Sequence, residues 1–170
     1  MLTDEAVRTL DTRMKMNPPL RSEEDRQALI TALRNGTIDC VATDHAPHAR
    51  EEKEVPFEEA PMGTTGLETA FAALNTELVR PGLIGLGLLA ERMTAGAEFY
   101  DLPVPRLKTG EPANLVLVDT DAEWQVGESG YESRSENCCF AGMVLRGKVL
   151  LTVAAGTVAY RERSLVLSVA

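Results

Sequence analysis

The sequence is poor in histidine, in cysteine and in long apolar runs. It contains two histidines and three cysteines among 170 residues. Cys40, Cys138 and Cys139 follow neither a disulfide framework nor a CxxC metal pattern, which fits a reducing cytosol. The longest apolar stretches, such as residues 83–90, are broken by glycine and are too short to cross a bilayer. No secretory signal is recognisable at the start, so we expect a cytoplasmic protein without membrane contacts.

Positive charge is also scarce. The 17 Lys and Arg residues face 26 Asp and Glu residues, which gives a net charge of -9. No Lys/Arg cluster with interleaved aromatics offsets this charge, and such a surface repels phosphate backbones. Nucleic acid is therefore excluded as an expected partner. With 44% hydrophobic residues, the chain can still bury a core of its own.

The first part of the sequence predicts an order of strand, helix and strand. Residues 14–20 read as a strand that ends in a loop, because two consecutive prolines forbid a helix there. Ser22 begins a capping-box-like start of an amphipathic helix, and Asn35-Gly36 ends it. Residues 37–43 are short, β-branched and apolar on both faces, which is typical of a buried parallel strand.

The residue composition and spacing change twice further along the chain. Residues 46–65 carry scattered prolines and glutamates and predict a long loop. Helical spacing returns in residues 67–78 and 83–100. Beyond residues 103–110, glycine-punctuated apolar runs predict short β-strands, at residues 115–118, 142–145, 148–153 and 157–160.

The densest chemical cluster lies where the predicted strand 37–43 ends, and it contains Asp44, His45 and His48. Ligands gather at the carboxyl ends of parallel strands, so an aspartate there is well placed to bind a metal or to move a proton. The alternative is that Asp44 caps a turn and both imidazoles are solvated.

Two further segments are weaker candidates. Asn17 and Arg21 flank the proline turn and offer an amide and a guanidinium to a carboxylate or imide edge. Alternatively, the prolines only shape the turn and Arg21 lies on the surface. Met62 and Gly63 could expose backbone N–H groups to a ligand, although such tripeptides are mostly turns. The glutamates between residues 51 and 59 are expected to be solvated.

Taken together, these segments resemble bacterial dihydroorotases of the amidohydrolase superfamily. The resemblance rests on Asn-Pro-Pro-Leu-Arg followed by Asp-Cys-Val-Ala-Thr-Asp-His-Ala-Pro-His, and it continues through Ala60–Gly63, Gly66–Ala70 and Ala113–Asp119. It implies an α/β fold. Residues 1–105 would form the C-terminal part of a TIM-like (β/α)8 barrel, and residues 106–170 would form strands of a small β-sandwich subdomain.

The resemblance also implies an activity. Dihydroorotases are zinc-dependent hydrolases of cyclic amides that interconvert N-carbamoyl-aspartate and dihydroorotate in de novo pyrimidine (UMP) biosynthesis. By resemblance, Asp44 would be a zinc ligand and the general acid/base. Asn17 and His48 would bind the substrate through their side chains, and Met62 with Gly63 through the backbone. His45 and Arg21 receive no role.

The sequence departs from the family in its metal ligands. Asp44 is the single member of the metal set that is present, because the family's other zinc ligands are expected upstream of Met1. We therefore expect a truncated chain that is inactive alone. One alternative is a non-catalytic scaffold that binds aspartate carbamoyltransferase, and another is a different cyclic amidohydrolase such as allantoinase or hydantoinase. Homo-oligomerisation stays open.

Overall fold

A computed structural model describes residues 2–104, 106–163 and 165. The chain is mixed α/β, with helices before strands. Helices are α1 (Glu23–Asn35), α2 (Arg50–Lys53), α3 (Ala70–Leu74), α4 (Leu86–Thr94) and α5 (Gly96–Phe99), with 3-10 turns at Asp4–Thr9 and Thr12–Met14 and a π-helical turn at Asn75–Val79. Strands are β1 (Leu115–Gln125), β2 (Val144–Ala154) and β3 (Thr157–Arg161).

Helix α1 forms as the sequence predicts. The Ser22 hydroxyl accepts a hydrogen bond from the Asp25 N–H at 3.2 Å, which satisfies one of the free N–H groups of the first turn. Gly36 ends the helix with φ +84°, a left-handed conformation that glycine adopts without a Cβ penalty. Leu33 is buried, whereas Leu29 on the same predicted face is 54% exposed.

The core consists of two apolar clusters that meet at α3. One is helical and the other joins α3 to the sheet; their buried members are Leu33, Leu74, Leu78, Ile84 and Leu89 in the first, and Ala72, Ala73, Val126, Cys138 and Leu145 in the second. The buried Asn75 donates from Nδ2 to Thr120 O at 2.9 Å and to Arg146 O at 3.0 Å. These bonds fix the π-helical turn to the sheet.

The sheet is antiparallel, with the order β1-β2-β3. The predicted strands at 142–145 and 148–153 are one strand, because the backbone passes through Gly147 at φ +105° without leaving the ladder. A side chain at Gly147 would meet Phe71, since an added Cβ would lie 2.9 Å from Phe71 Cε1. Strand β1 extends to Gln125, beyond its predicted end.

Two predicted strands are wrong. Residues 14–20 begin at the end of a 3-10 turn and include a cis peptide bond between Asn17 and Pro18, and residues 37–43 begin in a bend and form no ladder with the rest of the described chain. A strand needs a row of hydrogen bonds to a neighbour. In the second segment, Val41 N donates one bond, to Arg92 O at 2.9 Å.

The helical regions lie where the sequence predicts them, at 70–79 and 86–99. The predicted boundary between residues 105 and 106 includes Pro105, which lies outside the described residues. None of the helices in the described chain has the length and apolar character needed to span a membrane.

Candidate active site

Backbone hydrogen bonds bring three separate segments together. Ala46 N donates to Thr64 O at 3.0 Å, and His45 and Thr64 form an isolated parallel bridge. Gly63 N donates to Lys15 O at 2.9 Å. The loop after Asp44 and the loop around Met62 and Gly63 are therefore neighbours, and the segment that leads to Asn17 lies against the second loop.

Asp44 directly follows the segment 37–43. It is exposed, and its backbone adopts a left-handed conformation with φ +43°. Aspartate tolerates this conformation better than most residues, and such positions concentrate at functional sites. Among the described residues no side chain or amide donates a hydrogen bond to the Asp44 carboxylate, so both oxygens are available to a ligand.

His45 faces inward, away from the exposed position of its neighbour. Its Nδ1 accepts hydrogen bonds from Gly66 N at 3.2 Å and Leu67 N at 3.3 Å. A neutral ring that accepts at Nδ1 carries its proton on Nε2. These two hydrogen bonds hold His45, just after segment 37–43, against the turn that precedes α3. The sequence alone did not indicate this role.

His48, Met62 and Gly63 are in direct contact. The His48 Nε2–H donates to Met62 O at 3.0 Å, and Nδ1 lies 3.4 Å from the Glu52 carboxylate. Gly63 has φ +141°, and an added Cβ would lie 2.8 Å from His48 Nε2 and 2.8 Å from Ala46 Cβ. Three of the predicted substrate-binding residues therefore form one unit, and the close approach requires glycine.

Asn17 lies two residues after Lys15, whose carbonyl accepts from Gly63 N, and Arg21 lies four residues further along the chain. Asn17 is exposed, and in the described chain no hydrogen bond links it to Asp44 or His48. Arg21 donates from Nε to Asp25 at 3.1 Å, in an exposed pair one helical turn apart. This arrangement agrees with the surface alternative for Arg21.

Two lysines hold the loop that carries Met62. Lys53 is 7% exposed and donates from Nζ to Thr12 O at 3.0 Å and Pro61 O at 2.8 Å. Desolvation lowers the pKa of Lys53, and the neighbouring positive charge of Lys15 adds to this effect. Lys15 Nζ binds the carbonyls of Phe57 and Glu58, both at 2.8 Å. The glutamates of the loop are exposed, as predicted, but the loop backbone is anchored.

Ser135 and Asn137 also reach the site, and the sequence analysis missed both. They come from the far end of the chain and are buried beneath the loop that holds His48. Nothing in the segment Ser135-Glu136-Asn137, which precedes the apolar run Cys138–Ala141, distinguishes these residues from surface residues. Buried polar side chains generally have specific partners.

A cavity of about 420 Å³ opens beside this loop. His48 is the one predicted site residue in its lining, which is otherwise formed by Asp11, Thr12, Arg13, Ala49, Arg50, Lys53, Glu54, Arg134, Ser135, Glu136 and Asn137. The Arg13 side chain pairs with Asp11 at 2.6 Å, and this hydrogen bond lowers the pKa of the Asp11 carboxyl. The cavity and the exposed face of Asp44 are therefore different surfaces.

The described side chains do not group into a metal centre by themselves. Within residues 2–104, 106–163 and 165, no three His, Cys, Asp or Glu side chains are grouped so that they could hold a metal ion. A catalytic zinc needs at least three protein ligands. Asp44 has one carboxylate, and the Nδ1 of His45 already accepts two backbone hydrogen bonds.

Solved structures that superpose on this chain include hydantoinases and dihydropyrimidinases. The L-hydantoinase from Arthrobacter aurescens superposes with a TM-score of 0.86 at 30% identity, over 98% of this chain and 38% of the hydantoinase. The dihydropyrimidinase from Brevibacillus agri superposes with a TM-score of 0.81 at 25% identity, over 95% of this chain and 37% of its own length. The chain therefore has the fold of the matching portion of these two enzymes.

Sequence comparison identifies the group within this class. The chain is 47% identical over 164 residues to the dihydroorotase of Brevibacillus brevis and 46% identical over 167 residues to that of Bacillus subtilis. It is homologous to the C-terminal portion of bacterial dihydroorotases, as the sequence motifs predicted. It spans 38% and 39% of the length of these two relatives. No protein-family model matches the chain.

Proposed function

We propose that this chain is the part of a dihydroorotase that carries the general acid/base and most of the substrate contacts. In the complete enzyme it would take part in the reversible conversion of N-carbamoyl-aspartate to dihydroorotate. The observation that carries the proposal is the joining of the loops after Asp44 and around Gly63 by backbone hydrogen bonds. Identity of 47% and 46% to two dihydroorotases supports the choice of reaction.

We further propose that residues 1–105 complete the last part of a TIM-like barrel and that residues 106–170 supply strands of a β-sandwich. The apolar, ladder-free segment 37–43 supports this assignment, because an apolar parallel strand is stable only between neighbours. The three-stranded antiparallel sheet supports the second unit. In a barrel, Asp44 would then lie at the carboxyl-terminal face, where active sites are found.

In this proposal Asp44 has two roles, as a zinc ligand and as the group that moves the proton. Zinc, when bound, polarises the amide carbonyl and makes water a stronger nucleophile at neutral pH. Its other ligands would come from outside this chain. The exposed Asp44 carboxylate, which no described group binds, is free to take a proton during attack and to return it to the ring nitrogen that leaves.

Substrate binding would be shared by the neighbouring loops. The net charge of -9 does not attract an anionic substrate, so local donors must do so. We propose that the Asn17 amide and the His48 ring supply side-chain donors, and that the backbone at Met62 and Gly63 contacts the ring. The exposed position of Asn17 and the close approach at Gly63 support these roles.

A chimeric enzyme tests the proposal directly. This chain would replace the matching 167 residues of the Bacillus subtilis dihydroorotase. We expect hydrolysis of dihydroorotate, and we expect Asp44→Asn to lower kcat by about 1,000-fold, within the range of general acid–base catalysis. The matched control is Asp101→Asn, another exposed aspartate with positive φ, at +50°, which should leave kcat unchanged. Full activity of the Asp44→Asn enzyme would refute the assignment.

A different ring substrate is the second candidate, and the hydantoinase structures favour it specifically. The same chimeric enzyme should be assayed on hydantoin, allantoin and dihydroorotate in parallel. Because identity to the L-hydantoinase is 30% and identity to two dihydroorotases is 46–47%, we expect dihydroorotate to be the best substrate. A higher kcat/KM on either other ring would reverse this choice.

A scaffold role is the non-catalytic candidate. The absence of a three-ligand metal group among the described side chains favours it. A scaffold of this family would bind aspartate carbamoyltransferase, which size-exclusion chromatography of the mixed proteins would detect, together with any homo-oligomer. We propose the catalytic role and a cytoplasmic location, and co-elution combined with an inactive chimeric enzyme would favour the scaffold instead.

A further inference from the structure

A buried segment from the distal part of the chain holds the two predicted substrate loops together. Asn137 is 5% exposed and Ser135 is 7% exposed. They are almost ninety residues from His48 in sequence, yet their side chains contact its backbone directly. In the proposed domain division they belong to the β-sandwich part rather than to the barrel part.

The Asn137 side chain uses both ends of its amide. Nδ2 donates to Ala46 O at 2.9 Å and to Gly63 O at 3.2 Å. Oδ1 accepts from His48 N at 3.2 Å and also contacts the Ser135 hydroxyl. One side chain thus bridges the loop that follows Asp44 and the loop that contains Gly63.

The surrounding backbone strengthens this bridge. Asn137 O accepts from Thr65 N at 3.1 Å and from Thr64 Oγ1 at 3.0 Å, and Cys139 N donates to Thr64 Oγ1 at 2.9 Å. Ser135 Oγ lies 2.6 Å from His48 O. Segment 135–139 therefore contacts both loops through several hydrogen bonds that are partly or fully buried, and such bonds are stronger than exposed ones.

We propose that Asn137 is a positioning residue for the dihydroorotase reaction, acting through His48 and Gly63 rather than by touching the substrate. This inference rests on the proposed function of the site. Only an amide can serve here, because two carbonyls need donors while the His48 N–H needs an acceptor. Aspartate at this position has no donor and would repel both carbonyls.

The tight geometry at Gly63 explains why a small displacement matters. A Cβ added to Gly63 would lie 2.8 Å from His48 Nε2, so there is no room for a side chain between the two loops. If the bridge is lost, His48 and the Met62–Gly63 backbone separate. A misplacement of about 1 Å in a site can cost about 100-fold in rate.

The first experiment follows the His48 ring in this chain. Two histidines give two ring signals in a ¹H–¹³C spectrum, which His45→Asn and His48→Asn assign. Asn137→Asp should move the His48 signal toward that of a solvated histidine and leave the His45 signal in place. Should this variant unfold, Ser135→Ala decides, because it removes two hydrogen bonds to the His48 backbone and the contact with Asn137 Oδ1, and none to Gly63. An unmoved His48 signal in a folded variant would reject the proposal.

The second experiment separates positioning from stability in the chimeric enzyme. Asn75→Asp is the matched control, since Asn75 is also buried and also donates to two carbonyls, but both belong to the sheet. Both variants should lose stability, with zinc content unchanged. Asn137→Asp should lower kcat about 100-fold with a smaller change in KM, whereas Asn75→Asp should keep kcat within about threefold.

The results distinguish a failure of the Asn137 proposal from a failure of the proposed function. Equal kcat values for the two variants would refute the role of Asn137 while the proposed function stands. A folded, zinc-loaded chimeric enzyme without activity would refute the proposed function, and the His48 ring signal would still decide whether Asn137 holds the loop.

Discussion

Replacement of Gly63 by alanine tests the close approach of the two loops. The new Cβ would lie 2.8 Å from both His48 Nε2 and Ala46 Cβ, closer than real Cβ contacts allow. The φ of +141° adds backbone strain of about 1–3 kcal/mol for any residue with a side chain. Overpacking contributes about 1–3 kcal/mol more. We expect Gly63→Ala to destabilise the chain by about 2–6 kcal/mol in total.

The matched control is Gly82→Ala. Gly82 also has a positive φ, at +77°, but an added Cβ would meet nothing within 4 Å. It should cost about 1–2 kcal/mol, from conformation alone. Urea unfolding followed by circular dichroism measures both free energies of unfolding, and the His48 ring signal reports whether the loops have separated. If Gly63→Ala costs no more than Gly82→Ala, the two loops are not in contact as described.

Three further predictions concern stability. Leu89→Ala should lower the free energy of unfolding in urea by about 3–5 kcal/mol, because Leu89 is 0% exposed and its loss leaves a cavity; Leu29→Ala, at an exposed site, should cost far less. Ser22→Ala should cost about 1 kcal/mol through loss of the α1 cap and lower the helical signal on heating. Burial raises the pKa of Cys139 from 9.0 to about 11, so the unfolded chain ionises first. The resulting stability is complete below pH 9 and should fall toward pH 11, less so in Cys139→Ala, and a flat profile would contradict this.

The local elements could be predicted because their signals are local. The cap at Ser22 and the stop at Gly36 define α1 within a few residues, and apolar runs place the strands of the sheet. The strand predictions for residues 14–20 and 37–43 were wrong for the same reason. Their sequences fit strands, but a strand exists only with a neighbour, and the described chain supplies isolated contacts instead of a ladder.

The site could be predicted in composition but only partly in arrangement. Asp44, His48 and Gly63 stand out because their residue types suit the chemistry, and the structure places the loops that carry them side by side. The buried roles of Lys53 and Asn137 could not be seen, because their partners are backbone carbonyls far away in sequence. Backbone groups carry no sequence signal, so the residues that bind them look like ordinary surface residues.

Hydrogen bonds to the backbone, rather than side-chain contacts, hold the loop that contains Met62 in place. The loop that contains Met62 is held by Lys53 through Pro61 O, by Lys15 O through Gly63 N, and by Asn137 through Gly63 O. These three hydrogen bonds come from different parts of the chain, and each involves the backbone of the loop. Substitutions of exposed loop side chains such as Met62 should therefore leave them intact. The loop surface can therefore change while the buried polar contacts maintain the position of the loop, and removing one of those contacts should displace it.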